Sequence, residues 1–124
     1  MIKMFQLYLL FFLVLYSGSS SAASCIADNA TVKQVFQWND GSIFIVLDKS
    51  LVIEGSSPSQ ECGCSHDYRV GFHKTDDEKF FISAALTALT TGNKVMVKAN
   101  NGDGICPVHS NTPKLQVFLL KSSH

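Results

Sequence analysis

Three cysteines and two histidines of this 124-residue chain fall in two short runs. Cys62-Gly63-Cys64-Ser65-His66 spaces two thiols and an imidazole as Cys-x-Cys-x-His, and Cys106-Pro107-Val108-His109 spaces a thiol and an imidazole as Cys-x-x-His. Cys25 is the fourth and last cysteine. Two chemistries compete for these groups. Thiolates and imidazoles are the ligands that zinc takes tetrahedrally. An even number of cysteines in an oxidising compartment instead forms disulfides.

The compartment is legible upstream. Lys3 precedes an unbroken apolar stretch from Leu7 to Tyr16, and Ser17-Gly18-Ser19-Ser20-Ser21-Ala22-Ala23 follows it. A charge, an apolar core and small residues, in that order, spell a secretory signal peptide, here residues 1–23 with cleavage after Ala23. The apolar core is about half of the ~20 residues that a bilayer-spanning helix needs, which disfavours a membrane anchor. Lipidation at Cys25 is disfavoured too, because Ala22-Ala23-Ser24 lacks the leucine usual three positions upstream. The expected location is therefore secreted or periplasmic, and the expected state of Cys25, Cys62, Cys64 and Cys106 is two disulfides, with no metal and no cofactor. Cys62 and Cys64 stand too close to bond to each other. Cys25–Cys62 with Cys64–Cys106 and Cys25–Cys64 with Cys62–Cys106 both remain open, the first preferred.

Catalytic constellations are missing from the sequence. No Gly-x-Ser-x-Gly occurs. Asp76, Asp77 and Glu78 belong to a helix start and Asp40 to a turn, so nucleophile, base and oxyanion donors are not assembled. The expectation is a protein that is not an enzyme. Formal charge sums to zero over the chain, and loss of Lys3 leaves the mature part slightly acidic. That balance argues against a nucleic acid or an anionic membrane surface as partner.

The elements that must position these residues follow from residues 24–124, read as one small domain. Thr31–Trp38 and Ser42–Leu47 are rich in β-branched and aromatic residues and flank Asn39-Asp40-Gly41, which predicts a hairpin. The second strand is apolar on both faces and so must be covered on both. Tyr68–His73 predicts a third strand with Tyr68, Val70 and Phe72 on one face. Thr75-Asp76-Asp77-Glu78 is a capping box, and Phe81, Ile82, Ala85, Leu86 and Leu89 follow at helical spacing. Gly92 supplies a left-handed stop, which predicts a helix from Asp76 to Thr91. Lys94–Lys98 and Leu115–Leu120 are the last two strands. Asn29-Ala30-Thr31 is an N-glycosylation sequon.

Two strands, a cysteine-bearing loop, a strand, a helix ending Ala88-Leu89-Thr90-Thr91-Gly92-Asn93-Lys94-Val95-Met96-Val97, a cysteine and a last strand form a pattern. From Val32 to Leu120 it resembles the family of subtilase-cytotoxin B subunits and typhoid-toxin B subunits, with the Thr91–Val97 segment carrying most of the likeness. The resemblance implies a mainly β fold: a five-stranded OB-fold-like barrel with one helix between strands three and four. It also implies a non-catalytic module that binds cell-surface glycans, sialylated in the toxin members, as a homo-oligomeric ring beside a catalytic partner subunit. Gln37, Trp38, Asn39, Asp40 and Tyr68, on the first hairpin and the third strand, are the expected sugar contacts, although the family's key serine has no counterpart here. The competing expectation is an exported structural or protein-interaction domain without a carbohydrate ligand.

Overall fold

The computed structural model describes residues 24–75, 79–100 and 106–122. The expected signal peptide lies outside the described residues, as do Asp76, Asp77 and Glu78 of the capping box.

Seven strands and one helix make up the described chain. They are β1 (Cys25–Ala30), β2 (Val32–Gln37), β3 (Ser42–Leu47), β4 (Val52–Ile53), β5 (Arg69–His73), α1 (Lys79–Thr91), β6 (Val95–Asn100) and β7 (Lys114–Leu120). All strands share one mixed sheet in the order β2-β3-β5-β7-β6-β1-β4. Every pairing is antiparallel except β5 with β7, which run parallel through Gly71 and Lys114. The fold is thus mainly β with a helix between β5 and β6, as expected, but the sheet has seven strands and is not a five-stranded barrel.

The two extra strands have physical reasons to escape a pattern search. In β1 the pairing with β6 shifts register between Ala27 and Ala30, where Asn29 takes a φ of 54°. This bulge breaks the period-two alternation by which a strand is recognised. The two residues of β4 are too few to show any period.

β1 and β2 follow each other directly, separated by Thr31, yet they serve opposite regions of the strand order. Asp48 fixes that junction. Its Oδ1 accepts the Thr31 N–H (2.8 Å), and its own N–H donates to the Thr31 carbonyl (3.0 Å).

The hairpin forms as the sequence predicts. Ile43, Ile45 and Leu47 of β3 join Val70 and Phe72 of β5 in the core. Phe44 is buried as well, covered from the outside. The helix corrects one expectation. Leu86 and Leu89 are exposed, while Ala84, Ala85 and Ala88 are buried. Small alanines bring the helix close to the sheet, with Phe81 and Ile82 packed against the core. Gly92 ends α1 at a φ of 75° and donates its N–H to the Ala88 carbonyl (2.9 Å).

Two disulfides, Cys25–Cys62 and Cys64–Cys106, cross-link the sheet and its loops. Asp67 braces the turn between Cys62 and Cys64. Its buried carboxylate accepts the N–H groups of Gly63 and Cys64, both at 3.0 Å, so that the Cys-Gly-Cys turn directs its two sulfurs to different partners. Such bridges persist in an oxidising, extracytoplasmic environment. Among the described residues no helix is long and apolar enough to cross a membrane.

Candidate functional site

Alternation along β2 sends Gln34, Phe36 and Trp38 to the outer side of the hairpin, away from the core. Phe36 stacks on Phe44 with ring centroids 5.1 Å apart. This apolar floor continues to two large exposed rings, Trp38 at 54% and Tyr68 at 40% exposure. Gln34, Phe36, Trp38, Val46, Tyr68 and Arg69 line a shallow hollow here. A second hollow shares Phe36, Trp38 and Arg69 and is completed by Phe44, His109 and Asn111. Together they form a groove whose common wall is Arg69.

Arg69 is the charged centre of this surface. Its guanidinium lies 4.3 Å from the Phe44 ring centroid, a cation–π contact. Nε donates to Thr112 Oγ1 (2.9 Å) and Nη2 to Asn111 Oδ1 (3.2 Å). Partial burial holds its pKa below the ordinary arginine value, and the group stays charged at any physiological pH.

The segment that meets Arg69 is unusual in its backbone. His109 and Ser110 take φ values of 54° and 57°. Two successive left-handed residues make a tight reversal, closed by the Asn111 N–H donating to the Val108 carbonyl (3.2 Å). Left-handed non-glycine residues cost roughly 1–3 kcal/mol where the surroundings impose them. Here Cys106 is tied to Cys64, the Asn111 carbonyl accepts the His66 N–H (2.9 Å), and the Pro113 carbonyl accepts the Gly71 N–H (3.0 Å).

His109 joins this reversal to the β2–β3 turn. Its Nε2 donates to Asp40 Oδ2 (2.7 Å), while its ring meets Phe44 and Trp38 edge-on, at centroid distances of 5.1 and 6.1 Å. The Ser42 N–H, donating to the Asp40 carboxylate, and the His109 bond hold Asp40 down at about 2. On the other side of the turn His73 Nε2 donates to the Asp40 carbonyl (2.7 Å). His73 Nδ1 accepts the Thr75 N–H (3.1 Å), which fixes the tautomer.

The expected contact residues therefore divide. Trp38 and Tyr68 meet along one groove. Gln37 points to the opposite side of β2, and Asn39 lies in the turn. Asp40 is engaged by His109 and Ser42 and serves as a brace. Gln34, Phe36, Arg69, His109 and Asn111 were not singled out as groove residues by sequence. Alternation through Gln34, Phe36 and Trp38 was the available signal for the first two; nothing local signals Arg69, whose partners lie more than 40 positions away. The Cys and His runs do not form a ligand set either. All four sulfurs are in disulfides, His66 Nδ1 pairs with the Tyr68 hydroxyl (2.9 Å), and His109 pairs with Asp40. Among the described residues no three His, Cys, Asp or Glu side chains cluster as a metal site.

No family model matches the chain, and no curated protein matches it.

Proposed function

We propose that this is a secreted or periplasmic, non-catalytic glycan-binding module, and that the groove between Trp38 and Tyr68 holds the sugar. The observation that carries the proposal is the exposure of these two rings beside a fixed guanidinium and the Gln34 amide. Pyranose faces are apolar and pack on aromatic rings, while their rims present hydroxyls that need hydrogen-bond partners. Arg69 adds a charge suited to a sugar carboxylate, in line with the sialylated ligands that the toxin resemblance implies.

The same resemblance supports an OB-fold-like arrangement. A first strand split at Thr31 serves both β3 and β6, β5 and β7 pair in parallel, and the helix lies between β5 and β6. A homo-oligomeric ring and a catalytic partner subunit complete the toxin-type proposal.

A glycan array probed with the refolded, oxidised protein tests the function. Binding confined to a few glycans, and weakened in Trp38→Ala, is the expected result. No binding to any glycan together with a monomeric mass in solution would sink it.

A second proposal, a protein-interaction domain without a carbohydrate ligand, is favoured by a different surface. Phe80, Leu86 and Leu89 on α1, and Val117 and Leu119 on β7, are exposed apolar side chains. Such side chains favour contact with another protein.

A further inference from the structure

Thr112 lies behind the groove wall, bonded to Arg69 and Asn111, and its side chain has no exposure to solvent. Its single proton and its lone pairs are committed in one direction. Oγ1 donates to Asn111 Oδ1 (2.7 Å) and accepts from Arg69 Nε (2.9 Å). Asn111 Oδ1 then accepts a second time, from Arg69 Nη2 (3.2 Å). Three hydrogen bonds close a triangle among the three side chains.

This closure decides what the groove can offer a ligand. With Oδ1 used twice, the remaining capacity of the Asn111 amide is its Nδ2 donor pair. With Nε and one Nη2 hydrogen used, the remaining capacity of Arg69 is Nη1 and the other Nη2 hydrogen, the end of the fork opposite Nε. That end keeps the spacing for a bidentate pair with an anionic group. Arginine ordinarily loses rotamer freedom when it is immobilised on binding. The triangle and the Phe44 ring beneath it have already removed that freedom.

We propose that Thr112 is the positioning residue that turns Arg69 and Asn111 into a rigid, donor-only fork, and that this fork selects acidic over neutral sugars. The proposal rests on the glycan reading of the groove. Thr112 touches no ligand itself and acts through Arg69.

The test compares wild type with Thr112→Val, Thr112→Ser and Asn111→Ala on an array carrying matched acidic and neutral glycans. Valine keeps the shape and removes the hydroxyl; serine restores it. The expected result is a roughly tenfold or greater loss of binding to acidic glycans in T112V, with binding to neutral glycans little changed and the acidic preference retained in T112S. The Arg69 Nε–H resonance in a ¹⁵N-labelled sample should be a slowly exchanging line in wild type and T112S, and should be lost in T112V. If T112V does not fold, N111A takes its place; it removes from a half-buried turn both the shared acceptor and the Nδ2 donors of the fork, and leaves the core intact. An undiminished acidic preference in folded T112V or N111A, or an unaltered Nε–H line in T112V, would overturn the inference while leaving glycan binding intact. Absence of glycan binding in the wild type would overturn both.

Discussion

His109 Nε2 lies 2.7 Å from Asp40 Oδ2, joining two turns that are 69 positions apart in the chain. One turn follows β2 and Trp38; the other closes at Asn111 and leads into Thr112. The imidazole also fills the angle between Trp38 and Phe44. Replacing His109 with alanine should therefore leave the circular dichroism spectrum unchanged and weaken glycan binding several-fold, whereas His109→Gln, which keeps a donor, should retain more of it. Titration of Trp38 fluorescence with a glycan found on the array checks this.

Trp38 is the one tryptophan of the chain and half exposed. Trp38→Ala should alter unfolding free energy by no more than about 0.5 kcal/mol, as surface substitutions do. It should lower glycan affinity by roughly three- to tenfold, the equivalent of an aromatic contact worth ~0.5–1.5 kcal/mol. Denaturant melts beside calorimetric binding separate the two effects.

Acid should destabilise the fold in a definite window. Asp28 is held down chiefly by its bond with Lys121, Asp40 by the Ser42 N–H, and Asp48 by the Thr31 N–H. A carboxylate whose pKa is lower in the folded chain than in the unfolded one contributes stability above the unfolded value, near 4. That contribution disappears as pH falls through the folded value, about 2 for Asp40. Urea midpoints measured from pH 5 down to pH 2 should fall steadily, and more shallowly in Asp40→Asn.

Gly71 is a close-approach glycine on β5. A Cβ there would stand 2.9 Å from Val108 Cγ1 and 3.3 Å from two atoms of the Phe44 ring. Overpacking of this kind costs typically 1–3 kcal/mol. Gly71→Ala should lower thermal stability and disturb the groove together, because Val108 closes the left-handed reversal and Phe44 supports Arg69. A melting curve and an array measurement on the same variant test the coupling.

The two disulfides should separate by function. Removing either pair as a double Cys→Ser variant should cost about 2–5 kcal/mol, the usual loss for a native bridge in a small secreted domain. Only loss of Cys64–Cys106, which ties down the segment leading to His109, should also reduce glycan binding by the remaining folded protein. Unfolding curves with matched binding data decide this.

Much of the frame was legible because it is written locally. Ser42–Leu47 matches β3, and Gly92 stops the helix where a left-handed residue was expected. The apolar run of β3 announced cover on both faces, which Phe44 and its outer neighbours explain. Non-local features were not legible. The helix's buried stripe runs through alanines, whose size matters only once the sheet lies beneath them. Trp38 and Tyr68 stood out by residue type, yet Arg69 depends on Asn111 and Thr112, which no spacing rule connects to it.

The junction at Thr31 has a consequence for the order of assembly. β2 finds its partner within the next ten residues, but β1 pairs with Val95–Asn100 and so has no main partner until most of the chain exists. Contacts of such long separation are late and slow to form. Cys25–Cys62 joins the start of β1 to a much nearer loop. Once that bond has formed, the first strand is tethered beside its final place while it waits for β6, and its unpaired edge is less available to another molecule.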